Sequence, residues 1–141
     1  MPTANIKSTW TNGNLVFAQK VSGGSAIIDL DGVSIIDNNI TDPGDAAAIP
    51  VTQSGTVAIV TAGAETRTLA APAYVGQELV LYMKTDGGDC VVAIATTVNQ
   101  TGNNRATFND AGDVLVLRAI ESGANLRWRV VANDGVTLST V

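Results

Sequence analysis

Short apolar runs stopped by turn chemistry recur along this chain. Ile6 to Thr11 is followed by Asn12-Gly13 and then by Leu15 to Val21, and Asp31-Gly32 separates Ser25 to Leu30 from Val33 to Asp37. Asn-Gly and Asp-Gly accept the positive φ angles of two-residue hairpin turns, so this first part reads as two hairpins or one meander. The pattern lapses between Asn38 and Gly55. There Asp42-Pro43-Gly44 is a strong turn, Asp45 to Ala48 is expected to form a single helical turn, and Pro50 ends it, so the stretch reads as a connector. Beyond it the spacing predicts strands at Thr56 to Ala62, Thr66 to Ala71, Gln77 to Thr85, Asp89 to Thr97, Arg105 to Phe108, Asp113 to Glu121, Asn125 to Ala132 and Val136 to Ser139. Gly76, Gly87-Gly88, Gly102, Gly112, Gly123 and Gly135 punctuate them. The expected fold is all-β: an antiparallel β-sandwich or jelly-roll-like barrel over 56–141, preceded by an N-terminal β-hairpin region and connector over 1–55, in one compact domain overall.

Two kinds of strand can be told apart. Leu126, Trp128 and Val130 alternate with Arg127 and Arg129, which gives one dry face, holding Trp128 in the core, and one wet face. Residues 79–83, 91–95 and 114–117 are instead apolar on both faces. With no helices to cover them, their second faces must meet the N-terminal hairpins, another copy of the chain or a larger partner.

Composition sharpens this. Of 141 residues, 43 are Val, Thr or Ile, whereas Glu, Lys and Gln together number 10, so helices should be scarce. Histidine is absent and Cys90 is the one cysteine, which removes imidazole acid–base work, Cys/His nucleophile pairs and Cys/His zinc sites. Cys90, within Cys90-Val91-Val92, reads as a small buried hydrophobe. A net charge of −5 repels a phosphate backbone, so nucleic acid is not an expected partner, and Arg127-Trp128-Arg129 does not change that. Neither a secretory signal nor a membrane anchor is read in Met1 to Trp10. Folding in the cytoplasm where the chain is made is therefore expected, and no membrane partner.

Candidate chemistry is sparse. Aspartates number ten, and most stand beside Gly or Asn, where their side chains serve tight turns. Asp29 with Asp31 and Asp110 with Asp113 are the nearest approaches to a glycosidase pair, but no aromatic sugar platform accompanies them. Asp29-Leu30-Asp31-Gly32 begins like a calcium loop without its downstream bidentate glutamate. Gly-x-Ser-x-Gly is missing, as is a Gly-Lys-Ser/Thr phosphate loop, and Gly23-Gly24-Ser25 and Gly87-Gly88-Asp89 read as hairpin glycines. The acceptor patterns Asn39-Ile40-Thr41 and Asn99-Gln100-Thr101 read as accidental. The chain is expected not to be an enzyme and to need no cofactor or metal.

Five segments carry a resemblance. They are Glu65-Thr66-Arg67-Thr68-Leu69-Ala70-Ala71-Pro72, Gly76-Gln77-Glu78-Leu79, Asp86-Gly87-Gly88-Asp89, Gly112-Asp113-Val114-Leu115-Val116-Leu117, and Trp128-Arg129-Val130-Val131 with Asn133-Asp134-Gly135-Val136. Together they resemble the small β-rich head decoration, or capsid cement, proteins of tailed bacteriophages, and are more weakly similar to phage tail-fibre and tail-tip β-modules. The opening Ser8-Thr9-Trp10-Thr11-Asn12-Gly13-Asn14-Leu15-Val16-Phe17 also looks like the start of short phage head proteins. The resemblance implies a homotrimer on the capsid exterior whose partner is the major capsid protein and whose N-terminal part meets the shell. Trp10, Leu15, Val16 and Phe17 are the candidate contact residues; the alternative is that Trp10 and Phe17 pack under the first hairpin. The alternative it leaves open is a tail-fibre or tail-tip module binding a host-surface glycan.

Overall fold

The computed structural model describes residues 39–140 in full, with the backbone alone of two strands nearer the N-terminus. The chain divides into two compact units, Met1–Ile35 and Ile36–Val141. In the first, β1 (Lys7–Thr11) pairs antiparallel with β2 (Asn14–Ala18), with Trp10 opposite Leu15 and Ser8 opposite Phe17 in backbone register. The side chains of these strands and the Asn12-Gly13 turn lie outside the described residues.

The second unit contains β3 (Asn39–Ile40), β4 (Ala47–Ile49), β5 (Gly55–Val60), β6 (Glu65–Leu69), β7 (Glu78–Thr85), β8 (Cys90–Ile94), β9 (Arg105–Phe108), β10 (Val114–Ser122), β11 (Asn125–Asp134) and β12 (Thr137–Ser139). No helix occurs among the described residues, and so none is long and apolar enough to cross a membrane. The strands form two five-stranded sheets, ordered β11-β10-β7-β5-β3 and β12-β9-β8-β6-β4. They are called here the β7 sheet and the β8 sheet.

Both sheets are mixed. β3, β5 and β7 run parallel, as do β4, β6 and β8, while β10 and β11, and β9 and β12, are added antiparallel. The expectation of antiparallel pairing is therefore corrected for the first half of each sheet. The reason lies in the connections. Asp-Gly and Gly-Gly segments that read as hairpin turns, such as Asp86 to Asp89, instead carry the chain from one sheet to the other. From β5 to β8 each strand thus meets the strand two places earlier, running the same way. The two ladders remain separate sheets and do not close into a barrel. The stretch expected as a connector supplies β3 and β4, and the expected helical turn at Asp45 to Ala48 is replaced by Ala46 at φ 56° leading directly into β4.

Inward-facing residues of both sheets share one hydrophobic cluster. The β7 sheet supplies Val57, Ile59, Leu79, Leu81, Met83, Leu115, Leu117 and Trp128, and the β8 sheet Ile49, Leu69, Val92, Ile94 and Phe108. Trp128 is fully buried, as its alternation with two arginines predicts, and its indole N–H donates to the Ala70 carbonyl at 2.8 Å.

Side chains tie the sheet-to-sheet connection 41–46 to β6 and the connections 61–64, 86–89 and 109–113 to one another. Asp45 accepts the Thr66 N–H at 2.8 Å, the Thr61 hydroxyl donates to the Gly88 carbonyl at 2.7 Å, and the Asn109 amide donates to Asp89 at 3.2 Å. Asp113 accepts the N–H groups of Asn109 and Asp110, which is turn chemistry. At the opposite end Gln77 is wholly buried. Its amide oxygen accepts the Ala73 N–H at 2.8 Å, and its nitrogen donates to the carbonyls of Val51 and Gln53, both at 2.9 Å.

Candidate interaction surface

Pleating sends alternate residues of each strand to opposite faces, so the register of the β7 sheet fixes what its outward face presents. One cross-strand row is Ala58, Tyr82, Val114 and Asp134, and the next is Thr56, Val80, Val116 and Ala132. Val80, Tyr82, Val114 and Val116 are half-buried by their neighbours and form the middle of an apolar face. At the margins Val60 is 46% and Val131 60% exposed. Val131 is the extra residue of a bulge, since Val116 pairs with Ala132 and Leu117 with Val130. One end of the face is charged, with Glu78 opposite Arg118 and Arg118 opposite Arg129. At the other end stand Lys84 and Asp134, both exposed.

The outward face of the β8 sheet is chemically different. Its rows are Thr66, Val91, Thr107 and Thr137, then Ala48, Thr68, Ala93, Arg105 and Ser139. A shallow groove of about 300 Å³ lies there, lined by Ala48, Thr68, Leu69, Ala70, Ala93, Ile94 and Ala95. Its lining has no aromatic, carboxylate or side-chain amide with which to grip a sugar. The three segments read as apolar on both faces are therefore not equivalent: 79–83 and 114–117 share one broad apolar face, whereas 91–95 sits among threonines and alanines. Sequence alone does not separate them, because which strands become neighbours depends on the sheet-to-sheet connections.

Arg67, Asp42 and Glu65 form an ionic cluster that serves the fold. Arg67 is fully buried. Its Nε donates to Asp42 Oδ1 at 2.8 Å, and its Nη2 donates to Asp42 Oδ2 at 3.1 Å and to Glu65 Oε2 at 2.8 Å. Burial pushes the Asp42 carboxyl upward, but the Arg67 hydrogen bond and those from the N–H groups of Val60 and Gly44 outweigh it and hold it below the usual carboxylate value. Burial raises the Cys90 thiol to about 11, a protonated and unreactive state near neutrality. Among the described residues, no group of three or more Cys, Asp or Glu side chains is placed to hold a metal ion. Asp110 and Asp113 belong to one turn and do not face each other across a groove. Asp29 and Asp31 lie outside the described residues, as do the side chains of Trp10, Leu15, Val16 and Phe17.

A comparison of the sequence with protein-family models finds no match, and neither does a search of curated proteins.

Proposed function

We propose that this chain is a non-enzymatic structural protein of a tailed-bacteriophage virion, a β-sandwich that assembles as a homotrimer on the capsid exterior and stabilises the head by bridging capsomers. The observation that carries the proposal is the apolar outward face of β7 and β10, a surface that favours burial against another protein molecule. The segments similar to head decoration proteins support the same reading. Its mechanism is mass action: a protein that binds only the assembled shell stabilises it in proportion to its binding free energy. Apolar burial contributes roughly 25 cal/mol per Å² before the costs of association are subtracted. In this reading Trp10, Leu15, Val16 and Phe17 supply the contact with the major capsid protein, since aromatics anchored in partner pockets dominate such interfaces.

The test is attachment to expanded phage capsids stripped of decoration. Wild-type protein is expected to bind, and Trp10→Ala combined with Phe17→Ala to weaken binding at least about tenfold, with the thermal midpoint of the free protein nearly unchanged. Absence of wild-type binding contradicts the proposal. Unfolding of the double variant assigns both aromatics to the interior.

A further inference from the structure

The outward face of β7 is close to its own complement under a two-fold rotation. Counting from Leu81 in both directions, the next residues are Val80 and Tyr82, facing out, then Leu79 and Met83, facing in, and then Glu78 and Lys84, exposed and of opposite charge. On β10 the same construction centres on Leu115, the cross-strand partner of Leu81. Val114 and Val116 flank it. Arg118 stands three residues beyond Leu115 at one end, and the matching position at the other end is Gly112, which carries no charge.

Glu78 and Lys84 are six residues apart on one strand, roughly 20 Å at strand rise, too far to pair within a single chain. Arg118 is bracketed by Glu78 on one side and Arg129 on the other, which leaves an excess of positive charge at that end. Two such faces, laid together about an axis that crosses the strands at the Leu81–Leu115 line, reverse strand direction. Glu78 of each copy then meets Lys84 of the other, while the valines and tyrosines meet in the middle.

Resting on the reading of this face as a contact surface, we propose that it binds the same face of a second copy of this chain through a two-fold contact, with Glu78 of each copy paired to Lys84 of the other. The apolar rows supply the area, and the charges fix register and orientation. Such a contact joins copies pairwise, so between trimers on a shell it links one trimer to the next.

The experiment is sedimentation equilibrium of the full chain in four forms: wild type, Glu78→Lys, Lys84→Glu, and both changes together. Circular dichroism confirms that each form is folded. Because each substitution occurs twice in a two-fold contact, either single reversal is expected to lower the pairing constant about tenfold or more. The double exchange recreates both pairs and should restore pairing to within about threefold of wild type. Single reversals without effect, a double exchange no better than the singles, or a wild type that does not pair would each overturn the contact. Val116→Lys separates this from the parent reading. If it abolishes capsid attachment while the charge exchanges leave the mass unchanged, the face binds a partner other than a second copy, and the pairing proposal fails while the surface reading stands.

Discussion

Asp42 holds Arg67 with both carboxylate oxygens, at 2.8 and 3.1 Å, across a sequence separation of 25 residues. The same carboxylate accepts the N–H of Val60, at 3.0 Å, and so pins β3, β5 and β6 together where the two sheets begin. A guanidinium without surface exposure cannot be left unpaired, and Glu65 alone would not replace a two-oxygen partner. Asp42→Ala is therefore expected to cost about 2 to 3 kcal/mol, somewhat less than a fully interior pair because the carboxylate retains 12% exposure. A urea unfolding series measures it.

The pH dependence follows from the same pair. Asp42 titrates below its ordinary value of 3.8 in the folded protein, so the unfolded chain binds the proton more readily. Its contribution to stability is complete above 3.8 and is lost as the pH falls through the lower folded value. Asp45 behaves the same way, held down chiefly by the Thr66 N–H. With no histidine in the chain, the urea midpoint should stay flat between about pH 6 and pH 8 and fall only below about pH 4. The acid loss should be smaller in Asp42→Asn. A midpoint that moves strongly near neutrality would contradict this.

Two glycines at the sheet-to-sheet connections make opposite predictions. A Cβ on Gly87 would meet the Thr61 carbonyl oxygen and lie 2.8 Å from the Ala62 Cα, and both are backbone atoms that cannot turn aside. A Cβ on Gly63 meets nothing within 4 Å, and Gly63 has no positive φ. Gly87→Ala should cost about 3 kcal/mol or prevent folding, whereas Gly63→Ala should be neutral or add up to about 1 kcal/mol by restricting the unfolded chain. Thermal unfolding of the two variants side by side checks both.

Gln77 gives a fourth prediction. Truncation to Ala leaves the Ala73 N–H and the carbonyls of Val51 and Gln53 without their side-chain partner in the interior, at an expected cost of about 2 to 4 kcal/mol. Gln77→Glu should cost at least as much, because a carboxylate offers no donor to either carbonyl. Chemical denaturation of the two variants gives the comparison.

Much of the strand content is legible because most strands of the second unit are bounded by turn chemistry; β8, expected over Asp89 to Thr97, stops at Ile94, where Ala95-Thr96-Thr97 give no turn signal. Arg105–Phe108 is the predicted segment, and β7, β10 and β12 each begin one residue after the predicted start. Pairing was not legible. Asp86-Gly87-Gly88-Asp89 reads as a hairpin turn by residue type, yet Gly87 and Gly88 are there because the 61–64 backbone passes against them. That long-range contact leaves no periodic trace. β3 and β4 escaped notice because two and three residues are too few to show alternation. In the sequence Arg67 stands out only as one residue of the expected strand Thr66 to Ala71 and of a resembling segment, since nothing local marks an arginine whose partner is 25 residues away. The two-faced apolar character of β7 and β10 was visible in the sequence. That these strands are neighbours with Leu81 opposite Leu115, and hence that one broad face exists, was not.

The central claim, that this face is buried against another molecule of the chain, is tested most directly by the mass of the full-length protein in solution. Sedimentation equilibrium at micromolar concentration should return a multiple of the 14.4 kDa chain mass, and Val116→Lys, an outward substitution that leaves the inward core intact, should lower it. A wild-type mass of 14.4 kDa at every concentration would contradict the account.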